Sequence, residues 1–299
     1  MNAAKYILSQ IVIFGISFLL LWCTEVPEEL PPTPCLKQVD DSFKSRYPEA
    51  VHTVWSKGRD TEGKSYYIAD FEYDTTVAQA WFDCNGNWML SEYACRFSQL
   101  EAPVREAFLR SPYASQNISK SRLLERKGMK QLYVLCLPEE TQHVNLYYTP
   151  EGDFVRSLAS RQEHEEEACV EYPKEIPALM KERVSSLFEK AEIIDFWLGP
   201  FSQNIGVMDE GKFRTVALDH QSQWICTFWP LSAEEVPQAV EDNFYASLNR
   251  LGYPVRQLRN VCMMQDRKSL YYLFYFEGEK GDEQLAILFE SGELYGIIR

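Results

Sequence analysis

The chain has 299 residues, 45% of them apolar and 14% aromatic. That is enough for two ordinary domains with sizeable cores, in a composition that favours sheet. The net charge of -14 argues against nucleic acid, because a phosphate-binding face needs clustered lysine and arginine, and against an anionic membrane surface.

Residues 1–23 form a targeting segment. Lys5 is its only positive charge, an apolar run extends from Tyr6 to Trp22, and Glu25, Glu28 and Glu29 follow. Positive charge before the run and negative charge after it direct the rest of the chain out of the cytoplasm. At about 17 residues the run sits at the short limit for a span, so it is either a cleaved signal or an anchor. Leu19-Leu20-Leu21-Trp22-Cys23 resembles a bacterial lipoprotein box with Cys23 as the lipidated residue, although Trp22 stands where such boxes carry a small side chain. Residues 24–34 include the proline-rich run Val26 to Pro34, an extended tether.

Beyond the tether one pattern recurs four times. A hairpin signal reads Phe82-Asp83-Cys84-Asn85-Gly86-Asn87-Trp88, then Tyr148 to Phe154, then Leu218 to Trp224, then the shorter Phe289 to Leu294. Its glycine or serine falls at 86, 152, 222 and 292, at intervals of 66, 70 and 70 residues. Upstream lies a helix start. The second to fourth copies carry a proline near the first turn, at Pro103, Pro177 and Pro237, where a missing N–H costs nothing. An apolar i, i+4 pair follows in every copy: Val39 and Phe43, Val104 and Phe108, Met180 and Val184, Val240 and Phe244. Two more strands precede each hairpin. They are expected over 51–55 and 66–73, 118–124 and 132–137, 193–198 and 205–208, and 255–263 and 270–276. The predicted fold is therefore α+β: tandem helix-plus-antiparallel-β-meander units, with helices packed on one face of antiparallel sheets. A unit of about 65 residues is small for independent stability, so units should pair. The acidic run in 161–171 reads as a linker, leaving one two-unit domain over 35–160 and a more divergent one over 172–299.

Aromatic strands add a further expectation. Tyr67, Phe71 and Tyr73 share one face, and Tyr271 to Phe276 is apolar on both. One face should pack on helices and the other on a neighbouring unit or a partner.

Export permits disulfides. Seven cysteines remain beside Cys23, so at least one thiol is unpaired; Cys136 and Cys226 sit in apolar strand patterns and are expected to be small buried hydrophobes. There is no C-x-x-C, no G-x-S-x-G and no glycine-rich phosphate loop. The histidines His52, His143, His164 and His220 have no ligand spacing. His164 lies in a run of glutamates that reads as a solvated face. Asp83 to Asn87 imitates the start of a calcium loop, but Trp88 and Ala94 stand where that loop needs glycine and glutamate. No catalytic, cofactor-binding or metal-binding residue is predicted, and the protein is not expected to be an enzyme.

Phe43-Lys44-Ser45-Arg46-Tyr47-Pro48-Glu49-Ala50, Trp55, the tyrosine-rich strand and the Asp83–Trp88 turn together resemble the PepSY-like family of β-lactamase-inhibitor-like exported proteins of Bacteroidetes. The resemblance runs from about Cys35 to Ala159 and weakens over 172–299, where Ser222 replaces the turn glycine and the Tyr-Pro element has shifted to Tyr253-Pro254. It implies helices backing an antiparallel sheet whose concave face grips a partner enzyme, and it brings no catalytic motif. The function expected is a non-catalytic cell-envelope binding module, periplasmic or at the cell surface, inhibiting an exported enzyme through protein–protein contact. A passive scaffold or assembly factor is the alternative, then a hydrolase with a site assembled between units. No cofactor or nucleic acid is expected, and membrane contact only through the N-terminal segment. The residues that would touch a partner are not identifiable from sequence.

Overall fold

The four predicted turns set the registers of the whole chain. In a computed structural model that describes residues 34–298 except 61–62, 139–142, 161–170, 200–201 and 280, each turn closes an antiparallel hairpin. Gly86, Gly152, Ser222 and Gly292 all take left-handed backbone, with φ of 76°, 91°, 58° and 83°. Each hairpin also carries a β-bulge on its second strand just after the turn, where Met89, Val155, Ile225 and Tyr295 are the extra residues opposite Trp81/Phe82, Tyr147/Tyr148, Ala217/Leu218 and Ile287/Leu288. A left-handed turn residue with an adjacent bulge is how a longer hairpin loop keeps the right-handed twist of its strands. The Asp83 carboxylate accepts the backbone N–H of Asn85 and Asn87, and Asp219 does the same for Gln221 and Gln223. The turn is thus held by its own aspartate, with no need of a cation.

The element order is a helix followed by four strands, four times over. The helices are α1 (Pro34–Arg46), α2 (Ala102–Arg110), α3 (Ala178–Leu187) and α4 (Gln238–Leu251). The strands are β1 (Val51–Arg59), β2 (Ser65–Tyr73), β3 (Thr76–Phe82), β4 (Trp88–Cys95), β5 (Lys120–Arg126), β6 (Leu132–Pro138), β7 (His143–Tyr148) and β8 (Phe154–Ser160). They continue as β9 (Glu192–Leu198), β10 (Gln203–Asp209), β11 (Lys212–Leu218), β12 (Trp224–Leu231), β13 (Gln257–Asp266), β14 (Leu270–Glu277), β15 (Glu283–Phe289) and β16 (Leu294–Ile298). The chain divides into two compact units between Ile176 and Pro177. In each, eight strands form one antiparallel sheet in sequential order, β1 to β8 and β9 to β16. The weakest predicted strand, 205–208, is a full member, paired along its length with β9 and β11.

The prolines act as the sequence implies. Pro103 lies in the first turn of α2, and Pro177 and Pro237 immediately precede α3 and α4. All eight residues of the i, i+4 pairs are buried. In the first unit Val39, Phe43 and Tyr47 pack on Tyr67, Ala69, Phe71, Ala78, Ala80 and Phe82. Val104 and Phe108 pack on Leu135, Leu137, Leu146 and Tyr148. In the second unit Val240, Phe244 and Leu248 meet Tyr272, Phe274 and Phe276, with the Phe244 and Phe274 rings stacked 4.4 Å apart. The other side of β14, Tyr271 and Leu273, joins a second buried cluster with Met264, Leu285 and Ile287. That matches a strand expected to be apolar on both faces.

Ser222 fills a position for which its side chain is poorly suited. A non-glycine residue in left-handed backbone costs about 1–2 kcal/mol, partly offset by glycine's greater entropy in the unfolded chain. Ser222→Gly should therefore raise stability by about 0.5 kcal/mol in a urea titration.

No described helix is long and apolar enough to cross a membrane. The targeting segment 1–23 with Cys23, the tether apart from Pro34, and linker residues 161–170 with His164 lie outside the described residues.

Candidate functional site

The first sheet carries charge where a core would be apolar. Successive side chains of a strand point to opposite faces. Tyr93, Tyr133, Leu135, Leu146 and Tyr148 belong to the clusters under α1 and α2. The alternate positions therefore face away from those helices: Glu92 on β4, Arg122 and Arg126 on β5, Cys136 on β6, Asn145 and Tyr147 on β7, and Arg156 on β8. Arg122, Arg126, Asn145, Tyr147 and Arg156 are all buried.

Two linked groups make up the patch. In the first, Arg122 Nη1 lies 3.3 Å from Glu92 Oε2. Burial drives the Glu92 carboxyl up to about 7; Arg122 opposes the shift and the Glu171 charge adds to it. In the second, the Arg156 guanidinium stacks 3.8 Å over the Tyr147 ring. The Tyr147 hydroxyl donates to Glu171 Oε2 at 2.8 Å, and Lys174 Nζ donates to Glu171 Oε1 at 2.9 Å. Burial pushes the Tyr147 hydroxyl well above its ordinary value, with Glu171 adding to the effect, so it remains a donor. Glu171 comes from the segment after β8, and Tyr172 packs edge-on against Trp81 of the same face. These residues belong to the first unit, whereas a boundary drawn from composition begins the second domain at 172. A charge run looks solvated in sequence, yet its last carboxylate is 3% exposed because the sheet offers it partners.

Toward β1 the same face becomes accessible. Val54, Asp70, Gln79 and Glu92 are consecutive cross-strand partners, as are Val51, Glu72 and Val77 in the next row. Val51, Val54 and Val77 are 50%, 56% and 71% exposed around the exposed Asp70. The aromatic residues of this face, Tyr66, Trp81 and Tyr147, are instead buried. The accessible surface of the first sheet is thus an aliphatic, acidic rim beside a buried charged patch.

The predicted absences concern specific residues. His52 lies on β1 and His220 in a turn, both exposed, and His143 begins β7. Among the described residues no group of His, Cys, Asp and Glu could hold a metal ion. Cys226 is a buried free thiol, as expected, and burial raises its pKa. Cys136 departs from expectation: it is buried but disulfide-bonded. An apolar strand pattern reports burial and is blind to what a thiol meets there. Nothing in the sequence marked Glu92, Arg122, Tyr147 or Arg156 as a group. The available signal was the alternation Arg122, Leu124, Arg126 in β5, which puts two arginines on one face.

Comparison with known proteins bears on this sheet. Residues 65–156, from the start of β2 into β8, match the model of the family described as "Putative beta-lactamase-inhibitor-like, PepSY-like". This stretch is PepSY-like. Among solved structures the chain is similar to a BLIP-like protein from Bacteroides fragilis, at 24% identity and a TM-score of 0.42, covering 49% of this chain and 96% of that one. It is also similar to DUF2874 family proteins from Bacteroides ovatus (24% identity, TM-score 0.38, 43% of this chain and 89% of that one) and Bacteroides uniformis (20%, 0.37, 41% and 87%). No curated protein matches. The PepSY-like stretch contains Glu92, Arg122, Tyr147 and Arg156 but ends before Glu171, so the carboxylate that completes the patch comes from beyond it.

Shifting the Glu92 carboxyl has a pH signature. Its folded value lies above the unfolded one, so the folded state binds the extra proton and the associated stability is present below about pH 4.5 and is lost as pH rises to about 7. Glu92→Gln should remove this slope. Relative to the variant, the wild type should lose up to about 3 kcal/mol between pH 4.5 and 7, read from urea midpoints across that range.

Proposed function

We propose that this protein is a non-catalytic binding module of the cell envelope, built of paired helix-plus-four-strand units with helices on one face of each sheet, that holds an exported protein partner in the manner of an inhibitor. The observation that carries this reading is the PepSY-like, inhibitor-like match across β2–β8. The partner-contact surface is the rim of Val51, Val54 and Val77 around Asp70, because aliphatic side chains exposed beside a carboxylate supply both buried area and orientation. The leader directs the chain outward, and residues 24–34 tether it or leave it secreted.

Two experiments test this. Affinity capture from the native envelope on the full chain should recover one enzyme in stoichiometric amount, and its activity should fall when the chain is added. A Val54→Asp, Val77→Asp double variant should weaken capture at least about tenfold, since each buried aliphatic side chain contributes about 1.5–3 kcal/mol. Recovery of envelope structural proteins with no change in any enzyme's activity would favour the scaffold reading. Mass spectrometry of the mature N-terminus decides the anchor: a diacylglyceryl group on Cys23 establishes a lipoprotein, and a free Cys23 excludes one.

A further inference from the structure

We infer that the face of the first sheet opposite α1 and α2 is a peptide-binding surface for an extended segment that carries a carboxylate followed by an aromatic side chain, and that residues 171–176 occupy it as a built-in ligand. This is a second contact surface, independent of the valine rim. Residues 171–176 read Glu-Tyr-Pro-Lys-Glu-Ile, form neither helix nor strand and belong to the first unit. Glu171 accepts from the Tyr147 hydroxyl on β7, and Tyr172 packs edge-on against Trp81 on β3, with ring centroids 5.9 Å apart. Glu175 then meets Lys64, just before β2, at 3.5 Å. β7 and β3 are four strands apart in the sheet, so this strap lies across the strands. A segment lying crosswise does not extend the ladder of backbone hydrogen bonds, and the face reads it through side chains.

The face holds a matching place for each of the first two side chains. For the carboxylate there is one cross-strand row, in which Arg122, Val134, Tyr147 and Arg156 are successive partners from β5 to β8. Two buried guanidinium groups thus flank the hydroxyl, and Arg156 lies 4.0 Å from the Glu171 carboxylate. Arginines aligned with a hydroxyl donor favour a carboxylate over a neutral side chain. For the aromatic ring there is an apolar seat of Tyr66, Ile68, Trp81 and Leu90, against which Tyr172 packs.

The strap does not use all that this surface offers. Arg122 is buried, yet its Nε and Nη2 have no hydrogen-bond partner among the described residues. A buried donor left unmet costs more than a satisfied one contributes. A partner segment that brings these donors an acceptor gains binding that the strap lacks. That gain offsets the cost of displacing a ligand held at high local concentration by its own chain. The strap therefore sets a threshold that a partner segment must exceed to enter.

The test uses the purified full chain and a fluorescein-labelled synthetic peptide of residues 171–176, read by fluorescence anisotropy. A Glu171→Ala, Tyr172→Ala double variant weakens the built-in strap and should bind the peptide saturably, at least about tenfold more tightly than the wild type does. A peptide with Gln and Ala in its first two places should not bind the variant. Binding to the variant no tighter than to the wild type, or equal binding of the two peptides, overturns the proposal. Circular dichroism checks that the double variant is folded. If it is not, Glu171→Gln decides, because it keeps an acceptor oxygen: it should bind the peptide more tightly than the wild type, and no gain overturns the proposal. Neither outcome bears on capture through the valine rim, which its own double variant tests.

Discussion

Gly152→Ala is expected to cost the first unit about 3 kcal/mol, roughly 6–12 °C in melting temperature. Two penalties combine at this position. Gly152 sits at φ 91°, where an L side chain is strained by about 1–2 kcal/mol. An added Cβ would also lie 2.7 Å from the Pro103 carbonyl oxygen and 2.9 Å from its carbon. Both are backbone atoms at the start of α2 and cannot swing aside as a flexible side chain would. Gly128→Ala is the matched control. Its φ is 75°, but no atom lies within 4 Å of the added Cβ, so only the backbone strain applies and the loss should be about 1 kcal/mol. Equal losses at the two positions, measured by thermal melts, would mean that the turn does not bear on the helix. The contact explains why the turn recurs with a small residue. It packs on the helix of its own unit as well as reversing the chain: the Gly86 position meets α1 at Gln38 and Ser42, and Arg183 of α3 donates to the Ser222 carbonyl.

Glu171→Ala is the second large effect, also about 3 kcal/mol. The carboxylate is 3% exposed and accepts from Tyr147 and Lys174, with Arg156 4.0 Å away. Removing it leaves the buried Tyr147 hydroxyl without its acceptor and takes a carboxylate from beside the buried Arg156 guanidinium, and an orphaned buried group costs more than the original pairing contributed. Glu171→Gln retains an acceptor oxygen and should lose less than half as much. Glu175→Ala four residues on, whose ion pair with Lys64 is 65% and 47% exposed, should change stability by under about 0.5 kcal/mol. Urea titrations of the three variants check the order. If Glu175→Ala matched Glu171→Ala, the patch would be no more than surface charge.

Much of the fold was legible because its determinants are local. The turn residue, the proline at the start of the second to fourth helices and the apolar i, i+4 pair each act within one or two turns of chain, so Gly86, Pro103 or Val240 could be assigned a role without knowing what lay across the sheet. Even the weak strand at 205–208 followed from its place in the pattern. Strand ends were less legible. β1 runs on to Arg59, past the predicted Trp55, because Lys57, Gly58 and Arg59 gain backbone partners in Tyr67, Tyr66 and Ser65 that no local preference announces.

The charged patch was not legible at all. Glu92 and Arg122 are separated by 30 residues, and Tyr147 and Glu171 by 24; each alone is an ordinary polar residue of a strand or a charge run. The acidic run looked uniformly solvated because composition averages over its residues, while burial is decided one side chain at a time. Sequence by itself therefore determined the unit of one helix and four strands and the turn chemistry, since these depend on residues close together in the chain. Only the tertiary structure decided that one face of the first sheet is charged, that Glu171 completes it and that Cys136 is oxidised there. Those properties arise when strands far apart in sequence are set side by side and the cost of burying a charge is offset by a partner that only the fold can bring.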